Sequence, residues 1–211
     1  MRFIFCFTLV AVCFVCRAQD DDMPDFRSKR DNLLKIQEKD VQSDVSTFTM
    51  AGIDINMGKL PLRSLSVSDF AENYLKFDSG NIKVTITSMP FFAGKHKLQY
   101  VDKYLARIDN KGYFGSYSKV PKKAIQSVSV IIDNDTVAIP PAAYNDLFEP
   151  SFIYNEGGER KSYDGVYFSA NNKNMYIYML CNDSMGGYEV TWVMQDKKYL
   201  RRIVDYNILK N

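Results

Sequence analysis

The chain has 211 residues, with 27 Lys+Arg against 25 Asp+Glu, one histidine and four cysteines. A lone His96 excludes multi-histidine metal sites and leaves any Ser/His/Asp arrangement a single imidazole to use. No long Lys/Arg run is present to track a phosphate backbone, so nucleic acid is not an expected partner.

Arg2 supplies a small positive n-region, and Phe3 to Val15 run apolar except for Thr8 and the cysteines, a length that suits a signal h-region and is too short to span a bilayer. Cys16-Arg17-Ala18 then places small side chains three residues and one residue before a cut after Ala18. Residues 1–18 therefore read as a cleavable secretory signal. A lipoprotein signal is the weaker alternative, because Val12 and Val15, not small residues, precede Cys13 and Cys16. Arg2 and Arg17 leave with the signal, so the mature chain carries 25 basic and 25 acidic residues and a formal charge of zero. Cys6, Cys13 and Cys16 leave too. Cys181 alone remains, no intramolecular disulfide can form, and no transmembrane helix is expected in the mature chain. The expected location is the periplasm, the outer surface or the medium.

Residues 19–45 are polar, with scattered apolar positions such as Phe26, Leu33, Leu34, Ile36 and Val41, and read as a tether that is partly helical or disordered. Residues 46–211 read as a single β-rich domain, since short apolar or alternating runs are separated there by Gly, Asn, Asp and Pro. The expected fold is mainly β: an antiparallel sheet or meander, as a sandwich or partly open barrel, with one or two short helices. Ser68 as a cap, with Phe70, Tyr74 and Phe77 at helical spacing, predicts a short helix over 69–77. Ile82 to Thr87 alternates as a strand with Ile82, Val84 and Ile86 inward. Leu98, Val101, Leu105 and Ile108 fit a helical stripe stopping near Gly112. The preferred competing reading is a hairpin of 104–108 with 113–117 across Asp109 to Gly112. Ser127–Ile132 and Thr136–Ile139 flank Asp133-Asn134-Asp135 as a further hairpin, and Ala142 to Phe148 follow Pro140-Pro141 with one or two helical turns.

Strands at about 163–169, 175–181, 187–194 and 199–205, joined by short Asn-, Asp- and Gly-rich links, predict a four-stranded meander. Tyr188, Val190, Trp192 and Met194 share its core face, which makes Trp192 a core residue. Cys181, ending an apolar run, reads as a packed strand cysteine rather than a nucleophile. Tyr176 and Tyr178 form a row opposite Ile177 and Met179. That row either lies at the rim of the core or leaves it to stack on a ligand.

Residues 137–152 (Val-Ala-Ile-Pro-Pro-Ala-Ala-Tyr-Asn-Asp-Leu-Phe-Glu-Pro-Ser-Phe) and 187–205 (Gly-Tyr-Glu-Val-Thr-Trp-Val-Met-Gln-Asp-Lys-Lys-Tyr-Leu-Arg-Arg-Ile-Val-Asp) resemble a group of exported proteins of gut and environmental Bacteroidota that have no assigned activity. The resemblance covers about the last 90 residues. It implies a bacterial envelope or secreted location and transfers no functional residue.

No catalytic motif stands out. His96 lies in a basic loop, Gly94-Lys-His-Lys97, and reads as a solvated loop histidine. There is no Gly-x-Gly-x-x-Gly or Walker loop, Gly157-Gly158 and Gly186-Gly187 read as turns, and no cofactor is expected. Glu149, Glu156, Glu159, Asp164 and Glu189 are the acids from which a glycosidase pair would be drawn, although spacing puts no two face to face. Asp133-Asn134-Asp135 lacks the remainder of a calcium loop and reads as an Asx-rich turn, so no metal site is expected. The combined expectation is a non-catalytic exported binding module for a protein or glycan, with a carboxylate-dependent glycan hydrolase as the alternative.

Overall fold

The computed structural model describes residues 31–53, 59–116, 119–181 and 187–206; the expected signal lies outside them. Two short helices, α1 (Asp31–Leu34) and α2 (Lys39–Val45), come first. The strands follow as β1 (Arg63–Leu65), β2 (Asp69–Ala71), β3 (Tyr74–Asp78), β4 (Ile82–Pro90), β5 (Leu98–Val101), β6 (Tyr104–Ile108) and β7 (Lys123–Ile132). The remainder are β8 (Asp135–Val137), β9 (Tyr154–Glu156), β10 (Glu159–Lys161), β11 (Gly165–Phe168), β12 (Asn174–Cys181), β13 (Tyr188–Gln195) and β14 (Lys198–Tyr206). One five-stranded sheet has the order β1-β11-β12-β13-β14 and the other β2-β3-β4-β7-β8. Every strand pairing in them is antiparallel. Neither sheet closes on itself. They face each other as a sandwich over one core.

Alternation places the core residues. On β12, Met175, Ile177, Met179 and Cys181 point inward and lie opposite Met194, Trp192, Val190 and Tyr188 of β13. Leu75 and Phe77 of β3, Val84 and Ile86 of β4, and Val128 and Val130 of β7 meet them from the second sheet. Trp192 is fully buried, and its indole N–H donates to the Ala143 carbonyl at 2.8 Å. That carbonyl belongs to the 3-10 turn Pro141–Ala143, which overlaps the start of the 142–148 segment expected to make one or two helical turns.

Two expected elements take another form. Residues 69–77 are the β2–β3 hairpin, not a helix. The alternation of buried Leu75 and Phe77 with exposed Lys76 and Asp78 lets β3 pair with β4 (Leu75 opposite Ile86, Phe77 opposite Val84), and this tertiary pairing outweighs the Ser68 cap. Residues 98–108 are also a hairpin, but β5 pairs with β6 across Asp102-Lys103, where Asp102 adopts φ 54°. The second strand expected at 113–117 is not formed by the described residues of that stretch, and Ile108 instead bridges back to Lys111.

The row Tyr176 and Tyr178 does not leave the core. The outer face of the meander sheet is covered by residues 31–53, whose Leu33, Ile36, Val41, Val45 and Ala51 pack on Tyr176, Val193 and Ile203. The stretch read as a tether is thus, from residue 31, a third layer. Phe48 stacks on Tyr167 at 4.1 Å, and the Tyr167 ring lies across Gly165, where a side chain would meet it at 2.7 Å. Tyr176 donates to Asp44 at 2.7 Å and completes the attachment of α2.

Candidate functional site

The five acids named as glycosidase candidates separate into structural roles. Glu189 sits under the third layer and accepts hydrogen bonds from the Met50 and Ala51 amides and from the Tyr178 hydroxyl, each at 2.8 Å. Burial raises its pKa, opposed by those three donors. Asp164 is also buried, accepting from the Leu180 amide and the Ser162 hydroxyl at 2.8 Å, and desolvation pushes it up to about 7. Glu149 accepts the Lys122 amide. Glu156 is held low by Tyr163 and Lys161 on the exposed β9–β10 ribbon, and Glu159 of the same ribbon is exposed. Each carboxylate thus has a local structural setting.

Asp133 and Asn134 adopt φ 52° and 72° at the β7–β8 turn, where Asp133 accepts from Lys197 and Asn81. Among the described residues no three of His, Cys, Asp and Glu form a group suited to a metal ion. Cys181 is buried, and its thiol donates to the Glu149 carbonyl.

The surface that stands out is the excursion between β4 and β7. β4 ends at Pro90, which pairs with Lys123, and the Phe91 amide donates to the Lys122 carbonyl at 2.7 Å, so the chain leaves and rejoins the sheet at one place. The intervening arm carries a 3-10 turn (Ala93–Lys95) and the β5–β6 ribbon. Its inner side is anchored: Leu105, Ile108 and Tyr113 are buried with Ala124 and Phe148. Phe91 meets Phe148 edge-on at 5.3 Å and stacks on His96 at 4.4 Å. His96 Nδ1 lies 2.7 Å from Asp109, which also accepts the Lys97 amide. The His96 hydrogen bond, then the amide, holds the Asp109 carboxyl below the usual range. His96 thus clamps the arm instead of sitting free in a loop.

The outer side of the arm is apolar and basic together. Phe92 is 58% exposed, Val101 58%, Tyr100 50% and Tyr104 40%. Lys95 lies 5.1 Å from the centre of the Phe92 ring and Lys103 5.4 Å from that of Tyr104. Residues 91–122 contain seven cationic side chains against Asp102 and Asp109, in a chain whose total charge is only +2. Strand patterns and the whole-chain charge do not reveal this surface. A local count of charge across 91–122 is the signal that finds it.

Comparison with protein-family models, curated proteins and solved structures finds no match to this chain.

Proposed function

We propose that the chain is an exported, non-catalytic binding module that holds an acidic partner, glycan or protein, through the arm between β4 and β7. The observation that carries the reading is the coincidence on one projecting arm of a local cationic excess with exposed aromatic rings. Monomeric proteins rarely expose clustered large apolar side chains without a use for them. Aromatic rings supply contact area at small entropic cost, and the lysines steer and orient an anionic partner. The clamp of His96 on Asp109 and the packing of Phe91 and Tyr113 on Phe148 hold the surface in shape before binding, which lowers the ordering cost. Export is supported by Arg2, the apolar run to Val15 and the Ala18 site, together with the resemblance to exported Bacteroidota proteins.

Immobilised polygalacturonate and a poly-glutamate peptide serve as acidic probes. The protein should bind at least one of them, more weakly as salt rises from about 50 to about 500 mM. The triple variant Phe92→Ser, Tyr100→Ser, Tyr104→Ser should keep its melting temperature and lose binding. Binding to neither probe, or undiminished binding by the variant, would refute the proposal.

A further inference from the structure

Away from the arm, a cleft of about 270 Å³ opens between the two sheets at one end of the sandwich. The turns β3–β4, β7–β8, β11–β12 and β13–β14 all come to this end, as Asn81, Ile132, Lys173 and Lys197 in its wall show. The floor is apolar and drawn from both sheets: Ile82 and Ile132 from one, Phe168, Met175 and Met194 from the other. Met194 is 1% exposed and Met175 5%, so the floor is continuous with the main core.

The rim is cationic. Lys197 is neutralised by Asp133 at 2.7 Å, and Asp133 also accepts from Asn81. Arg63 and Lys173 have no such partner: among the described residues neither makes an ion pair. Arg63 is nonetheless held in place, with its guanidinium 4.0 Å over the Phe168 ring and one N–H donated to Asn172 Oδ1 at 2.9 Å. This leaves most of its five donors unused at a cleft that Lys173, the residue after Asn172, also lines. Stacking on Phe168 fixes the fork at the entrance.

We propose that this cleft is a binding site for a small organic anion, with its apolar body on Met175, Met194 and Ile82 and its carboxylate or phosphate between Arg63 and Lys173. An apolar floor with a few convergent polar groups is the usual make-up of a small-molecule site. The volume lies just under the roughly 300 to 1,000 Å³ typical of such sites, so the occupant is small. An oriented guanidinium with free donors recognises carboxylate and phosphate oxygens by charge-assisted hydrogen bonds. The two uncompensated charges discriminate against neutral ligands of the same shape.

Octanoate, octyl phosphate and octanol are titrated into the whole mature protein by calorimetry. In parallel, the methionine methyl groups are followed by carbon-13 NMR. At least one of the two anions should bind saturably and more tightly than octanol, shifting the Met175 and Met194 methyls while the Met89 methyl stays still. The preferred anion distinguishes a carboxylate from a phosphate ligand. Arg63→Gln with Lys173→Gln should weaken that anion by about tenfold or more, since each lost cation removes a charge-assisted contact. Both side chains are on the surface, so the variant should melt with the parent. Three results would each overturn the site: no saturable binding of either anion, octanol binding as tightly as the better anion, or affinity unchanged in the double variant. Shifts confined to Met89 would overturn it too, placing the ligand where β4 ends and the arm begins.

Discussion

Asp164→Asn provides a direct test of how the buried carboxyls are held. Asp164 sits at the entry to β11, with the Leu180 amide on one oxygen and the Ser162 hydroxyl on the other, and with Tyr167 and Tyr178 nearby. Desolvation moves its pKa from 3.8 to about 7 against the pull of those two donors. Between these values the folded protein keeps a proton that the unfolded chain has released, so the contribution is fully present below pH 3.8 and is lost as pH rises through about 7. The slope is about −1.4 kcal/mol per pH unit, and the total is on the order of 4 kcal/mol. Asparagine preserves the shape and the acceptor for Leu180 and has no proton to lose. Urea unfolding of both proteins from pH 5 to pH 8.5 isolates the effect as a difference, because Glu189 and Asp44, also raised by burial, are common to both. The parent should lose roughly 3 kcal/mol relative to the variant between pH 5 and pH 8, and the difference should be flat above that. Parallel pH profiles would show that Asp164 is ionised in the fold at neutral pH and would refute the reasoning.

Trp192→Ala removes the largest fully buried side chain and the hydrogen bond to Ala143, and should cost about 3 to 5 kcal/mol in a chemical melt. The same tryptophan should emit in the blue and resist iodide quenching. An exposed indole with a harmless truncation would contradict the core packing. Glu189→Ala leaves two amides and the Tyr178 hydroxyl without their acceptor, and should cost about 3 kcal/mol while making residues 31–53 the first site of protease cleavage. Unchanged protection of that segment would mean the third layer is held by its apolar contacts alone.

The meander was legible because its pattern is local. Asn171 to Asn174 and Gln195 to Lys198 supply turn residues, and Tyr188, Val190, Trp192 and Met194 alternate cleanly, so bounds, order and the burial of Trp192 follow from the chain itself. The third layer was not legible. Its apolar residues are sparse, in two helical pieces of four and seven residues, and such short pieces are stable only on a surface supplied by β12, β13 and β14. For the same reason the sequence leaves Tyr176 and Tyr178 open between the rim of the core and a ligand-facing row, since nothing in β12 reports what covers them. The 69–77 hairpin is not legible in the sequence, because Ser68 and the spacing of Phe70, Tyr74 and Phe77 are helix signals. The competing signal, alternation of Leu75 and Phe77, decides the outcome only once β4 is beside them.

Charge was hidden by averaging. The arm holds seven cationic groups and two carboxylates, so the rest of the chain holds 20 basic and 23 acidic residues, and the near-neutral total is a sum of opposed regions. Such separation concentrates positive charge on the arm. Under the proposed function an acidic partner would be drawn toward the arm, favouring encounters in which Phe92, Tyr100 and Tyr104 arrive first. The aromatic rings then provide short-range contact that salt does not screen. Lysine replacements at the arm should therefore act mainly on the association rate and its salt dependence, and ring replacements mainly on dissociation. This division between charge and rings is what distinguishes a binding arm from a merely basic loop.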